Sequence, residues 1–213
     1  MRMKRYSRLV QLSKSKDFKM LDLKSIGAIV LAGGQSRRMG QDKGLMFLNG
    51  KPMISHVLNA IKESGINEIL IISNNNEYSK FGHPVFNDEY LDKGPLGGIH
   101  SGLSNSSKEY NLVITCDTPF VDSEMITQLM SNCSDNRITL VRDNDRVHQL
   151  IGIFKKDIDV EVKDHIEKGW LKMEPFNESL GAKVLNSDGW GLKADCFLNI
   201  NSMEDFKNVS NDS

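Results

Sequence analysis

Ile26-Gly-Ala-Ile-Val-Leu31 runs directly into Ala32-Gly-Gly-Gln-Ser-Arg-Arg-Met-Gly-Gln-Asp-Lys43, and the reading of this stretch decides the fold. The short apolar run Ile26 to Leu31 reads as a buried strand. The loop that follows has glycines at 33, 34 and 40, cations at Arg37, Arg38 and Lys43, and no bulky apolar residue except Met39. Such a loop suits a polyphosphate. Glycines let backbone N–H groups wrap around phosphate oxygens, and the cations neutralise charge. The Walker loop needs Lys-Ser/Thr directly after its last glycine, and the dinucleotide fingerprint needs GxGxxG; neither spacing is present. The motif is a different phosphate loop and points to a nucleotide handled as a substrate.

Outward from this loop, strand-like and helix-like segments alternate. The pattern predicts strands at Ile26–Leu31, Glu68–Ser73, Pro84–Phe86, Leu112–Thr115, Ile138–Arg142, Leu150–Phe154 and Cys196–Ile200. It predicts helices from Pro52 to Gly65, at Leu96–Ser104, Asp122–Met130, Asp157–Lys168, Pro175–Leu180 and Met203–Val209. Repeated β-α-β units imply an α/β fold, a three-layer Rossmann-like sandwich with a mostly parallel central sheet. Residues 25–210 read as a single domain. Residues 1–24 carry Arg2, Lys4, Arg5, Arg8, Lys14, Lys16, Lys19 and Lys24 against Asp17 and Asp22. They read as a basic extension or a mis-started segment, and lack the apolar core of a signal peptide.

Composition sets bounds. The chain has 213 residues, 39% hydrophobic and 26% charged, with formal net charge −1. That is globular composition with no overall pull toward nucleic acid or a membrane surface. No apolar run approaches the roughly 18 residues needed to span a bilayer. Cys116, Cys133 and Cys196 are widely spaced and outside metal-ligand spacing, so reduced thiols and a cytoplasmic location are expected.

In an open α/β sheet, ligands bind beyond the carboxyl ends of the strands. The distinctive residues fall there: the glycine loop after the first strand, Asn74–Asn76 after the second, Asp88 after the third, Asp117 after the fourth, and Asn199 and Asn201 at the end of the last. Asp117, in Thr115-Cys-Asp-Thr-Pro-Phe120, is the expected metal ligand, because a triphosphate needs a hard cation held by oxygen. Lys43 and Arg37 or Arg38 are expected to face phosphates and stabilise charge that builds up at the α-phosphoryl group and the departing pyrophosphate. Lys93-Gly-Pro-Leu-Gly-Gly-Ile99 is a second glycine-rich turn leading into a helix. His148 reads as structural or exposed rather than catalytic, and Trp170 and Trp190 as packing residues in preference to residues that flank a planar ligand.

These pieces together resemble the molybdenum cofactor guanylyltransferases, which join GMP from GTP to molybdopterin. The resemblance is carried by residues 31–43, Asn49-Gly-Lys-Pro52, Asp88 ahead of Gly94-Pro-Leu-Gly-Gly-Ile99, Cys116-Asp-Thr-Pro-Phe120 and Phe197-Leu-Asn-Ile-Asn201, spanning about 22–206. It implies GTP contacts from Leu31, Ala32, Gly33, Lys43, Asp88 and Asp117, with Asp117 also holding Mg²⁺ and Lys43, Arg37 and Asp117 forming the catalytic set. It implies a pterin side made by Gly97, Gly98, Asn199 and Asn201. A base contact after the second strand falls at Ser73, Asn74 or Asn75. A molybdenum-insertion protein and acceptor molybdoenzymes are the partners it implies. The chain departs from the family pattern at Gly169-Trp-Leu-Lys172, where a basic pair is usual, and at Asn201-Ser-Met-Glu204, where Asn-Thr-Pro-Glu is usual. A cytidylyltransferase, another nucleotidyltransferase, or an inactive nucleotide-binding docking protein are the other readings. Gly33, where cytidylyl relatives have alanine, leaves room for a purine.

Overall fold

The computed structural model describes residues 21–33 and 42–211. Arg37, Arg38 and most of the glycine loop, and residues 1–20 of the basic extension, lie outside the described residues. Ile26–Leu31 forms β1, and all six of its residues are buried. Alternate residues face opposite ways, as a strand's period of two requires. Ile26, Ala28 and Val30 enter one hydrophobic cluster, and Ile29 and Leu31 enter another. A sheet that buries both faces needs helices on both sides, and the chain supplies them.

Phe47–Leu48 (β2) and Lys51–Pro52 (β3) form a small antiparallel hairpin, turned by Asn49 and Gly50, both at positive φ. Helix α1, Met53–Glu63, buries Ile54, Val57, Leu58 and Ile61 on the first face of the sheet. Next come β4 (Glu68–Ile72), β5 (Val85–Phe86), α2 (Gly94–Asn105) and β6 (Tyr110–Thr115). Helix α3, Ser123–Asn132, joins α1 on the first face; its N-cap is Asp122, whose carboxylate accepts the Met125 N–H at 2.9 Å. β7 (Ile138–Asp143) and β8 (Arg146–Lys155) follow, then α4 (Asp159–Glu167), α5 (Met173–Ser179), β9 (Lys183–Asn186) and α6 (Met203–Asn211). Helices α2, α4 and α5 cover the second face through Leu96, Ile99, Leu103, Val162, Ile166 and Phe176.

The main sheet has seven strands in the order β5-β4-β1-β6-β8-β7-β9. Every pairing is parallel except those of β8, which runs against both β6 and β7. Only Asn144 and Asp145 link β7 to β8, and so short a link allows only an antiparallel pair. The expected mostly parallel three-layer sandwich is what forms. No helix among the described residues is long and apolar enough to cross a membrane. The three cysteines are free and buried.

Two expectations need correction. Cys196–Ile200 is not a strand. Cys196, Phe197 and Ile200 are buried and Leu198 is exposed, but the segment's N–H groups go elsewhere: Cys196 to Lys193 O at 3.1 Å, Leu198 to Asp195 O at 2.8 Å and Ile200 to Asp117 O at 2.9 Å. Burial without a ladder produced a strand-like pattern. The last strand is instead Lys183–Asn186, an edge strand paired only with β7, whose partial exposure hides it from an apolar-run criterion. Trp170 is the other correction: it is 59% exposed, with Lys168 over its ring, whereas Trp190 packs on the core.

Candidate active site

Four parallel strands deliver their carboxyl ends to one rim. Ala32 N–H donates to Ile72 O at 3.0 Å, Ser73 N–H to Phe86 O at 2.9 Å, and Cys116 N–H to Leu31 O at 3.1 Å. The segments after β1, β4, β5 and β6 are thereby tied together where the sequence places its distinctive residues. Leu31 and Ala32 are buried, and Gly33 is exposed. A Cβ on Gly33 would meet only Ile72 O, at an ordinary 3.7 Å, so packing among the described residues does not demand glycine there. Gly33→Ala is therefore expected to fold with an unchanged melting temperature. Its cost would fall on a ligand packed against this backbone.

Lys43 opens a single 3-10 turn, Lys43–Leu45, held by Asp42. One Asp42 oxygen accepts the Gly44 N–H at 3.2 Å and also the Tyr78 hydroxyl; the other accepts Asn75 Nδ2 at 3.0 Å. Asp42 is thus consumed by three donors and serves as the anchor that fixes where Lys43 begins. Tyr78 is fully buried beneath it, and burial pushes its hydroxyl far above the ordinary phenol range. Burial also pushes the neighbouring Cys116 thiol up, helped by Asp117 and Asp42, so this thiol stays protonated. Gly44 is glycine because a Cβ would collide with the Tyr78 hydroxyl and lie 3.0 Å from Cys116 Sγ. Lys43 forms no ion pair within 4.0 Å among the described residues. Its ammonium group remains available to an anion.

The residues after β4 divide their tasks. Ser73 is buried; its hydroxyl donates to Ala32 O at 3.3 Å and accepts the Asn75 N–H at 3.1 Å. Asn75 is occupied by Asp42 and by capping the next 3-10 turn. Asn74 is exposed, and its Oδ1 accepts the Asp88 N–H at 3.0 Å. Of the three residues expected to supply a base contact, Asn74 alone is both exposed and able to offer a side-chain amide N–H.

Asp88 is half-buried and accepts the Tyr90 N–H at 3.0 Å. Burial raises its carboxyl above the usual range, against the lowering effects of that hydrogen bond and of His100. Gly97 lies behind it: a Cβ there would sit 2.7 Å from one Asp88 oxygen and 2.8 Å from Tyr90 O. A Cβ on Gly98 would lie 3.0 Å from Leu31. Both glycines let α2 close onto Asp88 and the end of β1, and so position the rim from behind.

Asp117 follows β6. Its Oδ1 accepts the Thr115 hydroxyl at 2.5 Å, and its backbone oxygen accepts the Ile200 N–H at 2.9 Å. That second bond draws the chain's late segment to the rim. Next to it, Asn199 has a buried Oδ1 without a hydrogen-bond partner among the described residues. Asp117 Oδ2 also takes no hydrogen bond among them. Two oxygens left without donors suit a hard divalent cation whose other ligands are phosphate and water. No group of three or more His, Cys, Asp or Glu side chains able to hold a metal occurs among the described residues. The fit therefore rests on one carboxylate, one carboxamide and the substrate itself.

Asn201 is exposed, and its N–H donates to Asp205 Oδ2 at 2.9 Å. Asp205 also accepts the Ser202 N–H at 2.9 Å, and the Ser202 hydroxyl accepts the Asp205 N–H at 3.0 Å. This reciprocal capping box starts α6 without a proline. The signal, Ser202-Met-Glu-Asp205, was legible in the sequence. Backbone N–H groups hold the Asp205 carboxyl below its usual range, and Lys43 adds to the effect. The Asp42–Tyr78–Asn75 anchor carried no comparable signal, since Asn75 and Tyr78 lie 33 and 36 residues from Asp42. A cleft of about 270 Å³ lies behind the Pro119–Asp122 loop, lined also by His56, Asn59, Glu63 and Lys193. It contains none of the rim residues named above.

Residues 28–172 match the family described as MobA-like NTP transferase domain. A "Probable molybdenum cofactor guanylyltransferase" of Flavobacterium johnsoniae is 33% identical over 192 residues, covering 88% of this chain and 98% of that protein. The chain belongs to this family. It is a nucleotidyltransferase. A "Molybdenum cofactor guanylyltransferase" of Yersinia pseudotuberculosis is 34% identical, covering 85% of this chain and 93% of that protein. The molybdopterin-guanine dinucleotide biosynthesis protein A of Archaeoglobus fulgidus superposes with a TM-score of 0.72 at 21% identity, covering 87% of this chain and 97% of that one; this likeness concerns the fold. Nucleotidyltransferases of this family generally use a divalent metal, in keeping with the oxygens left without donors beside β6. The two departures from the guanylyltransferase pattern are also placed. The missing proline of Asn201-Ser-Met-Glu204 is replaced by the capping box, and Gly169-Trp-Leu-Lys172 sits between α4 and α5 with Trp170 exposed.

Proposed function

We propose that the chain transfers GMP from GTP to molybdopterin, releasing pyrophosphate and forming the guanine dinucleotide cofactor. The observation that carries this reading is Lys43, which starts the turn anchored by Asp42 and forms no ion pair within 4.0 Å among the described residues, on the same rim as Asp117. An inactive docking protein would have no need of both. Magnesium is the proposed metal; bound there, it would neutralise phosphate charge.

The chain's own residues do the rest. Leu31, Ala32 and Gly33 offer backbone to the guanine nucleotide, Asn74 offers its side-chain amide to the base, and Asp88 belongs to the same pocket. Lys43 and Arg37 meet phosphate oxygens. Asp117 and Asn199 hold the metal. Gly97 and Gly98, by bringing the first turn of α2 to the rim, belong to the pterin side with Asn199 and Asn201. The terminal phosphate oxygen of molybdopterin attacks the α-phosphorus of GTP; that P–O bond forms as the bond to the β-phosphate oxygen breaks, and pyrophosphate leaves. A phosphate nucleophile is already ionised at neutral pH, so the step needs no general base. Catalysis is positioning plus charge stabilisation. A molybdenum-insertion protein before this step, acceptor molybdoenzymes after it and a cytoplasmic setting are part of the same proposal.

Calorimetry with GTP, CTP and ATP in the presence of Mg²⁺ tests it: GTP-selective binding supports the reading, CTP preference moves the chain to cytidylyl transfer, and no binding refutes an active enzyme. Gly33→Ala should reduce GTP affinity by roughly 10-fold through overpacking against the purine, with CTP affected less. Asp88→Asn gives a pH-dependent result. Burial raises the wild-type carboxyl above its ordinary value, so the unfolded chain releases this proton more readily than the folded one. Ionised Asp88 therefore costs the ligand-free fold stability, fully at neutral pH and less as pH falls toward 4. The variant should melt higher than wild type at pH 7, converge with it near pH 4, and bind GTP more weakly. Melting curves across pH check the first part and calorimetry the second.

A further inference from the structure

His100 sits mid-helix in α2, 7% exposed, with Nδ1 buried and without a hydrogen-bond partner among the described residues. Two carboxylates flank its ring from two other elements. Glu89 Oε2, on the segment that carries Asp88, lies 3.7 Å from Nδ1, and Asp159 Oδ1, the first residue of α4, lies 3.6 Å from Nε2. Both distances are just beyond hydrogen-bond reach. Asp159 is itself held by the Ser104 hydroxyl at 3.2 Å. The Tyr90 ring meets the imidazole edge-on at 5.0 Å. The same face of α2 receives the segment at two more points: the Glu89 N–H donates to the Ser101 hydroxyl at 2.9 Å, and Gly97 lies against Asp88.

A neutral imidazole has one donor, so it can serve only one of these carboxylates; a protonated one donates from both nitrogens. We propose that His100 is a positioning residue whose protonated ring clamps the Asp88 segment between α2 and α4 by bonding Glu89 and Asp159 together. The acidic groups facing it are Asp88 and Glu89 from the segment and Asp159 from α4, with Tyr90 as the remaining titratable neighbour. These carboxyl groups are negative when ionised, so protonation of the ring draws them inward. Closing each gap by less than 1 Å makes two charge-assisted hydrogen bonds. The clamp holds Asp88 where it presents itself to the nucleotide. The consequence for the reaction rests on the guanylyl reading above, whereas the clamp itself does not.

The test is GTP affinity with Mg²⁺ from pH 5.5 to 8.5 in wild type, His100→Gln and Glu89→Gln. Glu89 is exposed, so its variant folds even if burial of Gln at 100 is disruptive. Titration of the γ-phosphate is common to all three proteins and cancels in the comparison. Wild-type affinity should fall with rising pH by roughly 5-fold more than in either variant, the low end of ordinary coupling between sites. Equal slopes in all three would overturn the proposal. Amide hydrogen exchange of residues 89–92 in the ligand-free protein is measured alongside, corrected for intrinsic pH dependence. Exchange that slows at low pH in wild type and not in the variants supports the clamp even if GTP fails to bind, an outcome that would count against the guanylyl reading alone. Exchange with the same pH response in all three overturns the clamp whatever the nucleotide does.

Discussion

Asp117→Ala is expected to abolish Mg²⁺-dependent GTP binding and to lower turnover by about 10³-fold, the upper range for loss of one preorganised charge-stabilising group. The variant should still fold. Among the described residues the wild-type side chain accepts a single hydrogen bond, from the Thr115 hydroxyl, and its link to the late segment runs through the backbone oxygen that accepts the Ile200 N–H. Deleting the carboxylate leaves that backbone bond intact, so the melting temperature should move little while binding disappears. Loss of stability and of binding together would mean that Asp117 is a structural residue. Nucleotide binding that survives the substitution would place the metal elsewhere.

Lys43→Ala should cost about 10²- to 10³-fold in kcat, with a smaller loss in GTP affinity. The ammonium group meets charge that grows as pyrophosphate departs, so its contribution is larger in the transition state than in the ground state. Lys43→Arg should recover part of the rate. The 3-10 turn that carries Lys43 depends on Asp42 and not on the lysine side chain, so Lys43→Ala should be as stable as wild type. Tyr78→Phe tests the anchor from the other side. It removes one of the three donors to Asp42 and should lower kcat by less than Lys43→Ala, with the circular dichroism spectrum unchanged. Rate measurements with saturating GTP separate these effects on kcat from effects on binding.

The sheet and its helices were legible because this sequence is locally consistent. β1 is apolar throughout since both faces are covered, and α1 and α3 show apolar stripes that match the faces they bury. The rim was legible because glycines, Asp117 and Lys43 cluster after strands whose order could be counted. What escaped was whatever depended on non-local partners. Cys196–Ile200 looked like a strand because Cys196, Phe197 and Ile200 are apolar and buried, yet its hydrogen bonds go to a turn and to Asp117 O. Lys183–Asn186 is a strand that looks like a surface loop, because it lies at the sheet edge. Asp42 read as a neighbour of Lys43, and only the fold reveals that Tyr78 and Asn75 fix it. His100 falls inside the helix expected at Leu96–Ser104, and the carboxylates that give it meaning are 11 residues before it and 59 after it in the chain.

The central claim is that Lys43 and Asp117 serve one transfer reaction, from GTP to molybdopterin. The most direct measurement incubates the purified protein with Mg²⁺, molybdopterin and GTP labelled at the α-phosphate, and follows both the dinucleotide product and pyrophosphate. Labelled dinucleotide and pyrophosphate are expected in equal amounts with GTP, little of either with CTP, and neither from the Asp117→Ala protein. Equal product from CTP, or no product from a wild-type protein that binds GTP, would contradict it.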